Sequence, residues 1–393
     1  MSSVCVLALV ATAAPWANAA ACEPSYFQVA VYRDADFQGS CAILGIGEYS
    51  NGDLMRVGND SISSLIVGSG VRTTLYEHND FGGQQAFYEG GYRISNVGQV
   101  VNDKTSSMVV MPRWGTEAAF WYLGNNPTWS LDEGNGLASS DDDWFLTTSG
   151  EIFGFPIDSL YYTRRVGMPA PLSALGCNHF GDPDVINGYL FVPVENCSGG
   201  PMVAVFTSNL DYVCADYLYF QAEASWLAYD PATNHLVSSR GVINSEQGLM
   251  TYTIDWNGIY FGSMEWFLWD GDHFPLLRDR HGVPLSYSWP QGGDFNEDGT
   301  LLYLSNGGPA CAGGDTGIRI IDTYDYTQAA HSGNRYGPFD YEHSCSVTDS
   351  EEAEGLDYRE MTGPGTVFEG ALHGMVLDND YFTDEIYIKH YRK

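Results

Sequence analysis

Two stretches of this chain carry oxygen-bearing side chains at a spacing that could hold a hard cation: Asn59-Asp60-Ser61-Ile62-Ser63-Ser64 and Asn102-Asp103-Lys104-Thr105-Ser106-Ser107, offset by 43 residues. Calcium takes roughly six to eight oxygens and accepts carbonyls and hydroxyls as readily as carboxylates. Asp60 and Asp103 would supply charge, and Ser63 and Ser106 neutral oxygens. Lys104 need lend only its carbonyl, so its ammonium can point to solvent. The same residue types also close strands through Asx and Ser turns. An Asp at the second position of both copies favours the ion over the plain turn.

The elements that must position these stretches repeat with them. Tyr32-Arg33-Asp34-Ala35-Asp36-Phe37-Gln38-Gly39 matches Tyr76-Glu77-His78-Asn79-Asp80-Phe81-Gly82-Gly83 at an offset of 44 residues, so a unit of about forty residues is duplicated. The runs 27–32 and 71–76 are β-branched and aromatic, each followed by an Asp or Asn turn, a glycine and another apolar run at 40–44 or 84–88. This is the pattern of hairpins. Gly39 and Gly83 are expected in a backbone conformation that side chains resist, with the rings covering the turn.

Over roughly 24–113, the twice-occurring Y-x-x-x-x-F-x-G followed by N-D-x-x-S-S resembles the βγ-crystallin family of paired Greek keys. The resemblance implies two calcium ions between the motifs. Each would take a backbone carbonyl from the third position of one loop, a side-chain oxygen from the second, a hydroxyl from the fifth position of the opposite loop, and a carbonyl just after the hairpin tyrosine. Carried onto this chain, the ligands are Arg33, Asp60, Ser61 and Ser63, with Glu77, Asp103, Lys104 and Ser106.

The start of the chain, 1–21, reads as a secretory signal: a short apolar run over 4–14, then the small residues of Ala17-Asn18-Ala19-Ala20-Ala21. Export to an extracellular or periplasmic space permits disulfides. Cys22 is expected to pair with Cys41, although Ala20-Ala21-Cys22 also suits lipid attachment. Cys177 is expected with Cys197 and Cys311 with Cys345, leaving Cys214 over. Fifty acidic against 17 basic residues give a net charge of −33. Such a surface repels nucleic acid and anionic membranes and attracts divalent cations.

The domain reading is 22–113 for the crystallin-type unit, 114–150 for a linker or irregular first blade, and 151–393 for a second unit. That second unit shows no sustained helical period. Runs of β-formers at 188–194, 202–207, 225–229, 250–254, 301–305, 317–321 and 385–391 are divided by turns. A weak repeat precedes the strands: Gly181-Asp-Pro-Asp-Val, Ser225-Trp-Leu-Ala-Tyr-Asp, Gly292-Gly-Asp-Phe and Glu354-Gly-Leu-Asp-Tyr. The unit resembles a secreted bacterial β-propeller, and its length suits five or six blades. The fold class expected is therefore all-β, a double Greek-key sandwich followed by a propeller.

Asp294-x-Asn296-x-Asp298-Gly299 opens like a calcium loop but lacks a Glu at the twelfth position, Ser305, so a hairpin turn is expected. His179, Asp182, Gln291, Asp294, Glu352, Glu354 and His373 sit near strand starts and could converge on a channel. There His179, Asp182 and Glu354 could hold a metal that activates water, or they could merely cap turns and join blades. His331, His343 and His390 read as surface residues. No nucleophile motif, His-Glu-x-x-His or phosphate loop occurs. The function expected is a secreted calcium-binding protein whose propeller presents a non-catalytic surface, for instance to extracellular polysaccharide. A metal-dependent hydrolase or lactonase and a structural matrix protein are the alternatives.

Overall fold

The computed structural model describes residues 22–25, 28–112, 117–122, 134–159, 161–260, 268–269, 275–279, 281–307, 317–331, 345–346, 349–361, 370–380 and 384–391. The signal reading at 1–21 and the Cys311–Cys345 pairing lie outside these residues. The fold is all-β, with strands throughout and few helices.

The first unit has eight strands: β1 (Val29–Asp34), β2 (Gln38–Leu44), β3 (Gly47–Tyr49), β4 (Ser64–Val67), β5 (Val71–Tyr76), β6 (Gln85–Tyr88), β7 (Arg93–Ile94) and β8 (Ser107–Pro112). They form two sheets, ordered β2-β1-β4-β7 and β3-β8-β5-β6. The third strand of each quartet thus sits in the other quartet's sheet, which interlocks the two Greek keys. Side chains alternate across a strand with period two. Val29, Val31, Leu65 and Val67 of one sheet accordingly meet Val71, Leu75, Met108 and Val110 of the other in one core.

Both hairpins fold as the spacing predicts. Gly39 and Gly83 have φ of 78° and 80°, where a side chain would be strained. Tyr32 stands edge-on to Phe37, and Tyr76 to Phe81, each at 5.7 Å between ring centres.

The second unit has five antiparallel sheets in chain order. The first holds β9's successors β10 (Gly134–Ser139), β11 (Asp143–Thr148), β12 (Glu151–Pro156) and β13 (Arg164–Gly167), where β9 is Glu117–Tyr122. The second holds β14 (His179–Phe180), β15 (Asp184–Ile186), β16 (Tyr189–Glu195), β17 (Met202–Thr207) and β18 (Tyr212–Tyr217). The third holds β19 (Leu227–Asp230), β20 (His235–Ser239), β21 (Leu249–Ile254) and β22 (Leu268–Trp269). The fourth holds β23 (Pro290–Phe295), β24 (Leu301–Asn306), β25 (Gly317–Asp322) and β26 (Thr327–His331). The fifth runs β27 (Cys345–Ser346), β28 (Asp349–Met361), β29 (Gly370–Asp380), β30 (Asp384–Tyr391), and then takes β9 beside β30. The first sheet therefore spans 134–167 and crosses the boundary drawn at 150–151, so the stretch expected as a linker or irregular first blade supplies strands of the first sheet and, through β9, of the last.

Several of these strands, β16, β17 and β24 among them, read as nearly unbroken apolar runs because both faces are covered. In β17, Met202, Ala204 and Phe206 join the core shared with the first sheet, and Val203 and Val205 the core shared with the third. In β24, Leu302 and Leu304 face the third sheet while Tyr303 faces the fifth. Strands β10, β15, β19, β23 and β28 lie each beside the next, and β28 lies beside β10 as well.

Glycine makes that close approach possible. A Cβ on Gly355 would stand 2.2 Å from Asp182 Oδ1 and 2.6 Å from Gly136 Cα, and one on Gly136 would stand 2.4 Å from Asp182 Cα. We expect Gly355→Ala to destabilise the second unit by about 1–3 kcal/mol, the usual cost of overpacking, read as a lower urea midpoint with an unchanged slope.

Candidate metal centre

The two Asn-Asp loops face each other. Ser63 Oγ donates to Asp103 Oδ1 at 2.9 Å, and Ser106 Oγ donates to Asp60 Oδ1 at 3.0 Å. The backbones are crossed in the same way: the Asp60 N–H donates to the Thr105 carbonyl at 3.1 Å and the Asp103 N–H to the Ile62 carbonyl at 3.3 Å. Asp60 and Asp103 have φ of 53° and 52°, a left-handed conformation that Asp tolerates better than most residues. Asn59 and Asn102 steady the second carboxylate oxygens at 2.8 and 2.9 Å.

The eight expected ligands sort into two sets. The Ser63 N–H donates to the Tyr32 carbonyl and the Ser106 N–H to the Tyr76 carbonyl, both at 3.0 Å, which places each serine beside the peptide that follows its tyrosine. One set is Arg33, Ser63, Asp103 and Lys104; the other is Glu77, Ser106, Asp60 and Ser61. Two oxygens about 3 Å apart can both lie within the roughly 2.3–2.6 Å reach of a calcium ion. The donor chemistry fits the ion: one carboxylate, one hydroxyl and carbonyls per set, with no soft ligand. Lys104 is exposed.

The sixth loop position escaped the sequence reading. Ser64 Oγ accepts from the Phe37 N–H at 3.0 Å and donates to the Asp34 carbonyl at 2.6 Å; Ser107 Oγ does the same with Phe81 and His78 at 3.0 and 2.6 Å. The fifth serine thus faces the opposite loop and the sixth ties down the hairpin. Their doubled occurrence at one spacing was the available signal.

The chain is 31% identical over 96 residues to development-specific protein S of Myxococcus xanthus, a match covering 24% of this chain and 54% of that protein. The N-terminal unit is of the βγ-crystallin type. The chain spans about half the length of this curated relative. Similar solved structures include the N-terminal domain of protein S, 30% identical, covering 22% of this chain and 96% of that one with a TM-score of 0.20. A βγ-crystallin domain from Flavobacterium johnsoniae is 34% identical over 21% of this chain and 93% of that one, also at 0.20. One from Clostridium beijerinckii is 30% identical over 21% and 97%, at 0.20. No family model matches the chain.

Outside the crystallin-type unit, the expected channel metal set does not assemble. Among the described residues, no three His, Cys, Asp or Glu side chains gather closely enough to share an ion. Asp182 is fully buried, and its two oxygens are taken by backbone: Oδ1 by the Leu137 N–H at 2.9 Å, Oδ2 by the Gly293 and Leu356 N–H groups, both at 3.1 Å. Its own N–H donates to the Ser225 carbonyl at 2.7 Å. One residue thus joins the second sheet to all four others. His179 and Glu354 do share a cavity of about 90 Å³ with Gln291 and Glu352, but Asp182 is not in its wall.

Asp294 lies elsewhere, in a cavity of about 220 Å³ with Asp184 and Asp357. All three belong to the weak repeat, and each accepts a backbone N–H from the following first strand: Asp184 from Tyr229, Asp294 from Tyr358, Asp357 from Ser139, at 2.7, 2.6 and 2.8 Å. The Asp298-Gly299 segment is a hairpin turn, with Gly299 at φ 71° and its N–H on the Asn296 carbonyl at 2.9 Å.

His373 is not at a strand start but inside β29, fully buried, paired in register with His390 of β30 and packed edge-on against Trp144. His390 is therefore buried rather than on the surface, because both faces of the fifth sheet are covered. The disulfides Cys22–Cys41 and Cys177–Cys197 form as expected; Cys214 is free and buried, and burial pushes its thiol up to about 12.

Burial pushes Asp184 up to about 6 and Asp357 up to about 7. The folded form keeps protons that the unfolded chain has released, so these groups favour folding at low pH and lose that contribution as pH rises through 6 and 7. Burial pushes His373 down to about 4 and His390 to about 2, so they oppose: their contribution is present above the ordinary histidine value and is lost as pH falls below it. Asp357→Asn removes one carboxyl from this balance. Its stability relative to the parent is expected to improve by about 1–3 kcal/mol between pH about 5 and about 8, measured by urea unfolding at each pH.

Asp182→Ala leaves three buried N–H groups without an acceptor, each costing about 1–3 kcal/mol. Its loss in thermal stability should exceed that of Asp182→Asn, which keeps an acceptor oxygen.

Proposed function

We propose that this chain is an exported calcium-binding protein whose crystallin-type unit holds two ions, one per oxygen set. The observation that carries the reading is the reciprocal pairing of each serine with the opposite loop's aspartate. A turn that merely closed a strand would spend its side chains on its own backbone; these reach about forty residues across to the other loop. The acidic surface and the two disulfides support an oxidising, calcium-containing exterior.

We further propose that 117–391 is a five-bladed propeller. In support, five antiparallel sheets of four or five strands occur in series, their first long strands neighbour one another cyclically, and β9 completes the last sheet, joining the unit's two ends. Its role is to present a ligand surface rather than to catalyse. The carboxylate that would anchor a channel metal, Asp182, is occupied by backbone donors. Exposed rings such as Tyr161, Phe220 and Tyr324 suit stacking on extracellular polysaccharide.

Calorimetric titration of the intact protein with calcium should show two ions per chain, and the melting temperature should rise. A ligand at about a hundred times its Kd adds about 2.7 kcal/mol. The double variant Ser63→Arg with Ser106→Arg should lose both the heat and the stabilisation. A parent with neither sinks the reading.

A further inference from the structure

The two oxygen sets match each other in chemistry and differ in what stands behind them. Behind Arg33 and Ser63, Tyr32 packs with Ala30, Ile66 and Phe37 against the Cys22–Cys41 disulfide. A covalent bond fixes that side whether or not the second unit is in place.

Behind Glu77 and Ser106 there is no disulfide. Tyr76, the residue before Glu77, and Phe81, at the tip of the same hairpin, pack into a cluster with Val109 and Met111 of β8. The other half of that cluster belongs to the second unit: Tyr303, Ile318, Ile320, Leu356 and Leu372. Ser107, the residue after Ser106, holds Phe81 through its backbone N–H and starts β8. Glu77 is therefore one peptide away from the seam between the units, and Ser106 reaches it through Ser107 and Phe81. Strand β26 lies against β3 and β8, and Gln328 of β26 donates to Glu48 of β3 at 3.5 Å.

We propose that the set of Asp60, Ser61, Glu77 and Ser106 couples ion binding to the docking of the crystallin-type unit on the second unit, and that the set of Arg33, Ser63, Asp103 and Lys104 does not. An ion on the first of these draws the Glu77 carbonyl and the Ser106 hydroxyl onto the 59–61 loop, and so orders the hairpin and the start of β8. The docked seam orders the same residues. Each event lowers the ordering cost of the other, and linkage makes the effect reciprocal. The disulfide has already ordered the residues behind the other set, leaving its ion little to transmit. The inference rests on the calcium reading above.

The test is amide hydrogen exchange on the full chain, with and without calcium, in the parent and in Ser63→Arg, Ser106→Arg and the milder Ser106→Ala. Calcium should slow exchange in β25 and β26 by about tenfold, within the usual range for linked sites, in the parent and in Ser63→Arg. In both Ser106 variants that slowing should vanish. Slowing that survives in the Ser106 variants, or that is lost equally in Ser63→Arg, overturns the proposal. So does calcium protection confined to β1–β8, which would leave calcium binding itself intact. No calcium effect anywhere in the parent overturns both readings.

Discussion

A buried carboxyl group held by three backbone N–H groups sits at the centre of the second unit, and the arrangement of the five sheets depends on it. Burial drives Asp182 well above the usual carboxylate range, while three backbone N–H groups pull the other way. A desolvated acid is tolerated only where its hydrogen bonds are met, and here they are met by strands of three other sheets. The break between β14 and β15 frees the residue to lean out of its own sheet, and Gly136 and Gly355 leave room for it. Trp226 fills the neighbouring space, fully buried, with its Nε1–H on Ser239 at 2.9 Å. The centre is packed there, and the two cavities that hold the repeat's acidic residues lie on either side of it.

The two sides differ in character. Glu354 and Asp357 of β28 line different cavities, with Leu356, which holds Asp182, between them in sequence. One side gathers His179, Gln291, Glu352 and Glu354 in a small cavity; the other gathers three aspartates whose first duty is to clasp the following sheet. Their raised proton affinity follows from that duty, since the clasp buries them beside one another.

The crystallin-type unit solves a different problem with similar groups. Its loop aspartates remain exposed and are crossed with hydroxyls from the partner loop, so that hard oxygens converge at the surface where an ion can reach them. A duplicated hairpin makes this possible, because each Greek key supplies the half-set that the other lacks. The unit is joined to its neighbour through a seam of apolar side chains on β8 and the second hairpin, so one of its two half-sets lies next to an interface.

Much of this was legible in the chain itself. The doubled Tyr, Phe, Gly and Asn-Asp signals determined the hairpins, the left-handed glycines and the facing loops, since all rest on local backbone preferences and a short repeat. The apolar runs of the second unit located seven of its strands to within two residues, because strands covered on both faces need apolar residues at every position. Tertiary structure alone decided which aspartate does what. Asp182, Asp184, Asp294 and Asp357 are the same side chain in similar surroundings of sequence. One became the hub, three became clasps and none joined His179, because their partners are backbone N–H groups up to 218 residues away that no local pattern marks. The burial of His390 was settled in the same manner: a histidine near the end of the chain became interior when β9, a strand some 270 residues earlier, closed the sheet beside it.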